Sequence, residues 1–226
     1  MKILISCSLF FNNGNSTKYK KLYDKIVNTL HIFRNHGHEA DIVIYYDNTV
    51  SKEIIQKLNE SPNTYTIKKN LSRRRTGCFW RYESVNDFNN YDIYMFRDID
   101  LALENNDCII LNDFLNSDRN VFYTFVVHKR KAYPKQGFLM GGLFGFKKNA
   151  CENFKQSLLQ WKNSKQLGYY GSDEEFLAQI FYLKEKSLVF IEPRVKNAKL
   201  NETFFTKLKL ETNHEKYIYL DKNYDF

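Results

Sequence analysis

Three short apolar runs in the first hundred residues constrain the fold of this chain more than anything else: KILISCSL (Lys2 to Leu9), ADIVIYY (Ala40 to Tyr46) and YDIYMF (Tyr91 to Phe96). Each has the length of a strand and is apolar at consecutive positions, with β-branched or aromatic members. That is the pattern of strands covered on both faces. Between the first two runs, Leu22, Ile26, Leu30 and Phe33 recur at helical spacing, Ser16 or Thr17 offers an N-cap, and Gly37 stands just past the end. Strand, helix and strand make a β-α-β unit, and its continuation predicts an α/β fold with an open, mixed but mainly parallel sheet and helices on both faces. Sheets of this kind bind ligands beyond the carboxyl ends of their strands.

The remaining pattern fills out that layout. Ser51 to Leu58 reads as a helix, Thr64 to Ile67 as a strand, and Cys78 to Phe88 as a helical stretch carrying Phe79, Trp80 and Tyr82. In the second half, Val121 to Val127, Phe138 to Phe146 and Ser187 to Ile191 read as strands, with helices over Asn153 to Trp161 and Asp173 to Leu183. From Lys196 the chain is polar as far as Tyr217 to Leu220, which predicts a tail that wraps the domain or orders on ligand binding. The 226 residues show no repeat and no Gly/Ser linker, so a single domain is expected.

Composition narrows the function classes. A hydrophobic content of 43%, with 19 Phe and 16 Tyr against only 9 Gly, supports a large core and excludes a disordered chain. The net charge of +8 is compatible with nucleic acid, an anionic surface or a phosphate-bearing ligand. Lysines such as Lys18, Lys20, Lys21 and Lys25 read as a solvated helix face, whereas Arg73-Arg74-Arg75 is a concentrated cluster. Cys7, Cys78, Cys108 and Cys151 lack the close spacing of a zinc site or redox pair and read as reduced thiols. No run is long enough to span a bilayer, so a cytoplasmic setting is expected.

The chemistry centres on Arg97-Asp98-Ile99-Asp100, directly after the third apolar strand. A strand running into a turn can aim both carboxylates at one point. Hard divalent cations such as Mg²⁺ and Mn²⁺ take oxygen ligands, commonly one or two carboxylates completed by phosphates and water. By itself Asp-x-Asp also suits a solvated turn or a helix cap. Its place at a sheet's carboxyl edge favours the metal.

The segments GCFWRY (Gly77 to Tyr82), YMFRDIDLAL (Tyr94 to Leu103), GFLMGGLFGFK (Gly137 to Lys147) and YYGSDEEFL (Tyr169 to Leu177) resemble the ordered blocks of GT-A glycosyltransferases from large DNA viruses and bacteria. That group includes the N-terminal domain of a chlorella-virus capsid glycosyltransferase. The resemblance spans residues 1 to 191. It implies a Rossmann-like nucleotide-diphospho-sugar transferase fold, with residues 1–103 as the nucleotide-binding half and 104–226 as the sugar- and acceptor-binding half with a C-terminal tail. It implies a nucleotide-sugar donor, commonly a UDP-sugar, a Mn²⁺ or Mg²⁺ cofactor, and a glycan or glycoprotein acceptor, with no nucleic acid partner. A viral source would place the protein in host cytoplasm and make rhamnose, glucose or xylose plausible sugars.

Carried over to matching positions, Asp100 is the principal metal ligand, and Asp98 touches the ribose or reaches the metal through water. Arg97 orients these carboxylates, or else forms an ion pair at the strand end. The backbone from Ser6 through Ser8 to Leu9 lines the base pocket. Asp47 accepts from the uracil imide or serves as a turn residue, and Phe10 or Phe11 stacks on the base or packs in the core. One of Arg73, Arg74 and Arg75, with Arg75 the chosen candidate, and Arg81 of the FWR phrase face the donor, since guanidinium pairs bidentately with phosphate. Gly141 and Gly142 let a strand backbone approach the donor sugar. Asp173, with Glu174 second, is the catalytic or sugar-binding carboxylate, and His214 is a third metal ligand from the tail. His128 to Lys131 is a basic loop that lines the site or stays solvated. The rival readings are a basic nucleic-acid-binding module, a metal-dependent nucleotidyltransferase, and an inactive homologue that only binds sugar nucleotide.

Overall fold

The computed structural model describes residues 1–11, 24–70, 76–127, 137–163, 172–177, 187–191 and 217–220. Its strands are β1 (Lys2–Leu9), β2 (Glu39–Tyr46), β3 (Thr64–Lys68), β4 (Ile93–Asp98), β5 (Val121–Val127), β6 (Gly137–Lys147), β7 (Ser187–Ile191) and β8 (Tyr217–Leu220). They form one sheet in the order β3-β2-β1-β4-β6-β5-β7-β8. The first four are mutually parallel, β6 runs antiparallel to both β4 and β5, β5 pairs parallel with β7, and β8 returns antiparallel along β7.

Alternation along the strands separates two cores. Ile3, Ile5 and Cys7 of β1, Ile42 and Ile44 of β2, and Ile93 and Met95 of β4 face a mainly aliphatic core. Ile26 and Phe33, Ile54 and Leu58, and Cys108, Leu111 and Phe114 cover it from the helices. Leu4, Val43, Tyr45, Tyr94 and Phe96 face the other side, joined by Phe144 and Phe146 of β6. That second core is aromatic. Tyr82 sits at its centre, 5.3 Å from Phe96 and 5.6 Å from each of Phe79, Phe144 and Phe154 between ring centroids, mostly edge to face. The apolar runs are continuous in sequence because each strand supplies side chains to both cores in turn.

Several elements differ from the sequence reading. The described part of the first helix is two short pieces, Lys25–Asn28 and His31–Asn35. Between them Thr29 bonds its hydroxyl back to the Lys25 and Ile26 carbonyls and accepts the Leu103 amide at 2.7 Å, so tertiary contact overrides helical continuity. The stretch around Trp80 is a 3₁₀ helix, Thr76–Glu83, followed by one α-turn, Ser84–Asp87. β4 extends past Phe96 to include Arg97 and Asp98. The helix Asn105–Leu115 was not foreseen, although Cys108, Leu111 and Phe114 recur every third residue; its Glu104–Asp107 capping box lies in a polar run that reads as loop. The segment Tyr217–Leu220 of the expected tail is an edge strand of the sheet.

Candidate active site

The parallel register brings Ser8 of β1 opposite Asp98 of β4, and Leu9 opposite Tyr46 of β2, at one carboxyl edge. At that edge the period-two alternation decides where each polar side chain goes. Leu4, Ser6 and Ser8 lie on the aromatic side, as do Tyr94, Phe96 and Asp98; Arg97 and Ile99 take the opposite phase.

On the aromatic side lies Arg81, with only 5% of its surface exposed. Its peptide is gripped by the serines of β1: Ser6 Oγ donates to the Arg81 carbonyl at 2.6 Å, and the Arg81 amide donates to Ser8 Oγ at 3.0 Å. Ser84 Oγ donates to the same carbonyl at 2.9 Å. The guanidinium is then directed outward along the sheet edge. Nη1 donates to Asp98 Oδ1 at 2.6 Å and Nη2 to Asp173 Oδ2 at 2.9 Å, while Nε donates to the Cys78 carbonyl at 3.1 Å. One cation therefore bridges two carboxylates 75 residues apart in sequence. Burial opposes the charge on Arg81, but Asp98, with Tyr82 and Asp173 behind it, holds the guanidinium well above its ordinary pKa.

Gly141 and Gly142, two of the four glycines of β6, make room for this arrangement. A methyl group built on Gly142 would lie 2.5 Å from both Asp98 carboxylate oxygens, and one on Gly141 would lie 2.5 Å from Asp173 Oδ2. The space that glycine leaves here is filled by the protein's own acidic side chains. Tyr82 Oη donates to the Gly141 carbonyl at 3.3 Å, tying the same strand to the aromatic core.

Arg97 behaves differently. It is 7% exposed and grips Asp107 with both Nη atoms, at 2.7 and 3.3 Å, and donates to the Ala102 carbonyl at 3.4 Å. Asp107 in turn accepts the Glu104 amide at 2.8 Å. These bonds fasten the loop that follows Asp98, so Arg97 steadies the acidic turn from beneath. The turn itself is closed by the Leu101 amide donating to the Asp98 carbonyl at 3.1 Å, with Ile99 and Leu103 anchored in the aliphatic core. Asp100 is half-buried in this turn, and the Asp98 side chain is 40% exposed. Burial pushes the Cys7 thiol up to about 12, with Arg81 and Arg97 pulling it down and Asp98 and Asp100 adding to the rise. Burial likewise lifts Cys78 to about 12, with Asp173 adding to the effect, so neither thiol beside the site is a nucleophile near neutral pH.

Asp47, at the end of β2, is 2% exposed and makes an Asx turn: its Oδ1 accepts the Thr49 amide at 2.9 Å and the Thr49 hydroxyl, whose oxygen accepts the Phe11 amide at 2.8 Å. Phe10 packs edge-on to Trp80 at 5.7 Å, and a methyl on Gly77 would touch its ring at 2.7 Å, so one side of the ring is committed to the core. Glu174 follows Asp173 on the short helix Ser172–Phe176. Arg73, Arg74, Arg75, the loop His128 to Lys131 and His214 lie outside the described residues. Sequence reasoning named Arg81, Asp98 and Asp173 separately but missed Asp107.

Two hard oxygen donors on a fastened turn, one of them substantially open, suit a divalent cation that draws its other ligands from a diphosphate and water. Among the described residues, no three His, Cys, Asp or Glu side chains gather as a complete protein cage. Nor is any described helix long and apolar enough to cross a membrane.

No family profile matches this sequence, and no curated protein does. Solved structures do match. TarS from S. aureus superposes with a TM-score of 0.53 at 12% identity, over 85% of this chain and 58% of that one, and further TarS structures hold UDP-GlcNAc or UDP. The 4-diphosphocytidyl-2C-methyl-D-erythritol synthase of Anaerococcus prevotii superposes with a TM-score of 0.55 at 11% identity, over 84% of this chain and 88% of that one. The bifunctional IspDF of Campylobacter jejuni gives 0.53 at 14% identity, over 85% of this chain and 49% of that one. The chain has a GT-A fold. It spans only about 58% of the TarS structure, and at these identities the likeness concerns the arrangement of the backbone alone.

Proposed function

We propose that this GT-A chain is a metal-dependent glycosyltransferase that moves a sugar from a nucleotide-sugar, with UDP-sugars foremost, to a hydroxyl of a glycan or another acceptor. The observation that carries the reading is the pairing of Asp98 and Asp173 on Arg81 at the carboxyl edge of β1 and β4, with Asp100 half-buried in the turn that follows, in a fold whose solved neighbours include one holding UDP-GlcNAc. Two carboxylates share one guanidinium there, with Asp100 two residues beyond Asp98, and Arg97 is spent on Asp107. The excess negative charge repels a bare diphosphate and favours one that arrives with a divalent cation.

In this reading Asp100 and the open side of Asp98 hold the cation, which when bound offsets the charge that grows on the leaving diphosphate. Arg81 and Gly142 keep Asp98 at the edge, and Arg97 keeps the turn from shifting. Asp173, placed by Arg81 against Gly141, takes the proton of the acceptor hydroxyl in an inverting reaction or binds donor hydroxyls in a retaining one. The base pocket is assigned to the β1 and β2 ends, with Asp47 and one of the cluster from Arg73 to Arg75.

Asp100→Ala, with its circular dichroism unchanged, is expected to lower Mn²⁺-dependent transfer or hydrolysis of a nucleotide-sugar by about a thousandfold, the several kcal/mol of a Lewis-acid contact. Unchanged turnover removes the metal assignment. A thermal-shift screen of nucleotide-sugars with and without Mn²⁺ finds the donor. The mutual coverage with the Anaerococcus synthase favours a second reading, a nucleotidyltransferase. Release of pyrophosphate from a nucleoside triphosphate, instead of a nucleoside diphosphate from a nucleotide-sugar, distinguishes that chemistry.

A further inference from the structure

We infer that Arg81 is a built-in counter-ion of Asp98 that holds off a free divalent cation, so that the metal is taken up together with the nucleotide diphosphate. This inference rests on the metal-site reading above and deepens it.

The guanidinium is not a mobile ligand. Its peptide is held by Ser6, Ser8 and Ser84, its Nε by the Cys78 carbonyl, and its Cζ lies 5.6 Å from the Tyr82 ring centroid. With 5% exposure it has little water to turn to, and it sits 2.6 Å from one oxygen of the carboxylate that would bind the metal. A dication on the remaining Asp98 oxygen would stand within a few ångströms of this fixed positive charge, whose burial limits the screening that solvent on the open side of Asp98 supplies. A bound diphosphate reverses the balance, because its oxygens add negative charge beside the cation and complete its coordination. Asp173 takes the other arm of the same fork, which fixes how far the cation leans on Asp98. Arg81 is therefore a positioning residue that also sets the order of binding.

The decisive variant is the double substitution Arg81→Gln with Asp173→Asn. It removes one positive and one negative charge, so the net charge of the site is unchanged, and it leaves no unpaired buried carboxylate at position 173; neutral replacement of a buried ion pair is commonly tolerated by a fold. Free Mn²⁺, followed by electron paramagnetic resonance without nucleotide, is expected to bind this variant at least about tenfold more tightly than the wild-type chain. The advantage should shrink when UDP is present. Arg81→Lys, which keeps the charge but loses the fork, is expected to stay within about threefold of wild type. Equal free-Mn²⁺ affinity of the double variant and wild type overturns the inference. If instead wild type takes up no Mn²⁺ even with UDP, or Asp98→Ala and Asp100→Ala leave uptake unchanged, the metal-site reading itself fails.

Discussion

Two buried arginines stand at the same sheet edge, and they use aspartate in opposite ways. Arg97 closes on Asp107 with both Nη atoms, and that carboxylate is further occupied by the Glu104 amide. Arg81 divides itself between Asp98 and Asp173, touching one oxygen of each. The first pair occupies both oxygens of its aspartate and fastens a loop, with the buried Arg97 Nε left without a hydrogen-bond partner among the described residues. The second leaves acceptor capacity on Asp98, whose side chain is 40% exposed. The difference teaches that the use of an ion pair is read from the acceptor capacity left on its carboxylate, more than from its burial or distance.

Cutting the Arg97–Asp107 pair should have the largest effect, and on stability. Asp107→Ala strands a buried Arg97, a loss of about 3–5 kcal/mol, which for a chain of this size lowers the thermal midpoint by about 10 °C. Turnover per folded molecule, measured well below that midpoint, should fall by less than about tenfold, the share that comes from loosening the turn after Asp98. A large loss of turnover would mean that the two pairs are not separable. The open pair should show the reverse. Gly142→Ala drives a methyl into Asp98 and is expected to cut kcat/KM about a hundredfold, the cost of misplacing a reacting group by about an ångström, while the midpoint moves by less than about 4 °C. Gly145→Ala is the control. There a methyl meets the Tyr94 carbonyl at 2.6 Å and the Phe122 ring, so stability falls and activity per folded molecule does not.

The smallest effect belongs to a partly exposed network outside the edge, Glu83 with Lys69 at 2.6 Å and Lys162 at 3.1 Å. Burial raises the Glu83 carboxyl, but hydrogen bonds and charge from the two lysines outweigh it and hold its pKa below the ordinary 4.5. Its stabilisation is present at neutral pH and is lost as the pH falls through that lowered value. Glu83→Gln is expected to cost about 1 kcal/mol or less at pH 7 by urea denaturation, and the difference should vanish at acid pH below the folded pKa. A gap that persists there would show that packing, and not charge, is what the substitution removed.

The strands that build the edge were legible because each of β1, β2 and β4 contains an unbroken apolar run, and the acidic pair announced itself by following the last of these runs. The bridge from Arg81 to Asp98 and Asp173 was not legible, since nothing in the local pattern links residue 81 to residue 173. The Gly141–Gly142 pair invited a reading in which a ligand approaches the strand, yet its open side is taken by Asp98 and Asp173, a fact that depends on the antiparallel insertion of β6 beside β4. Helical periodicity also failed where the chain stepped out of it: Thr29 breaks one helix to hold Leu103, and the FWR segment winds as 3₁₀ so that Ser6 and Ser8 can hold the peptide of Arg81.

The aromatic core contains both tryptophans of the chain, Trp80 next to Arg81 and Trp161 on the helix Cys151–Asn163, while the aliphatic core on the other face has none. Tryptophan fluorescence, excited selectively over tyrosine, therefore watches one side of the sheet only. Emission will follow any change around the FWR segment, whereas melting of the opposite layer alone will pass almost unseen unless a probe is added there.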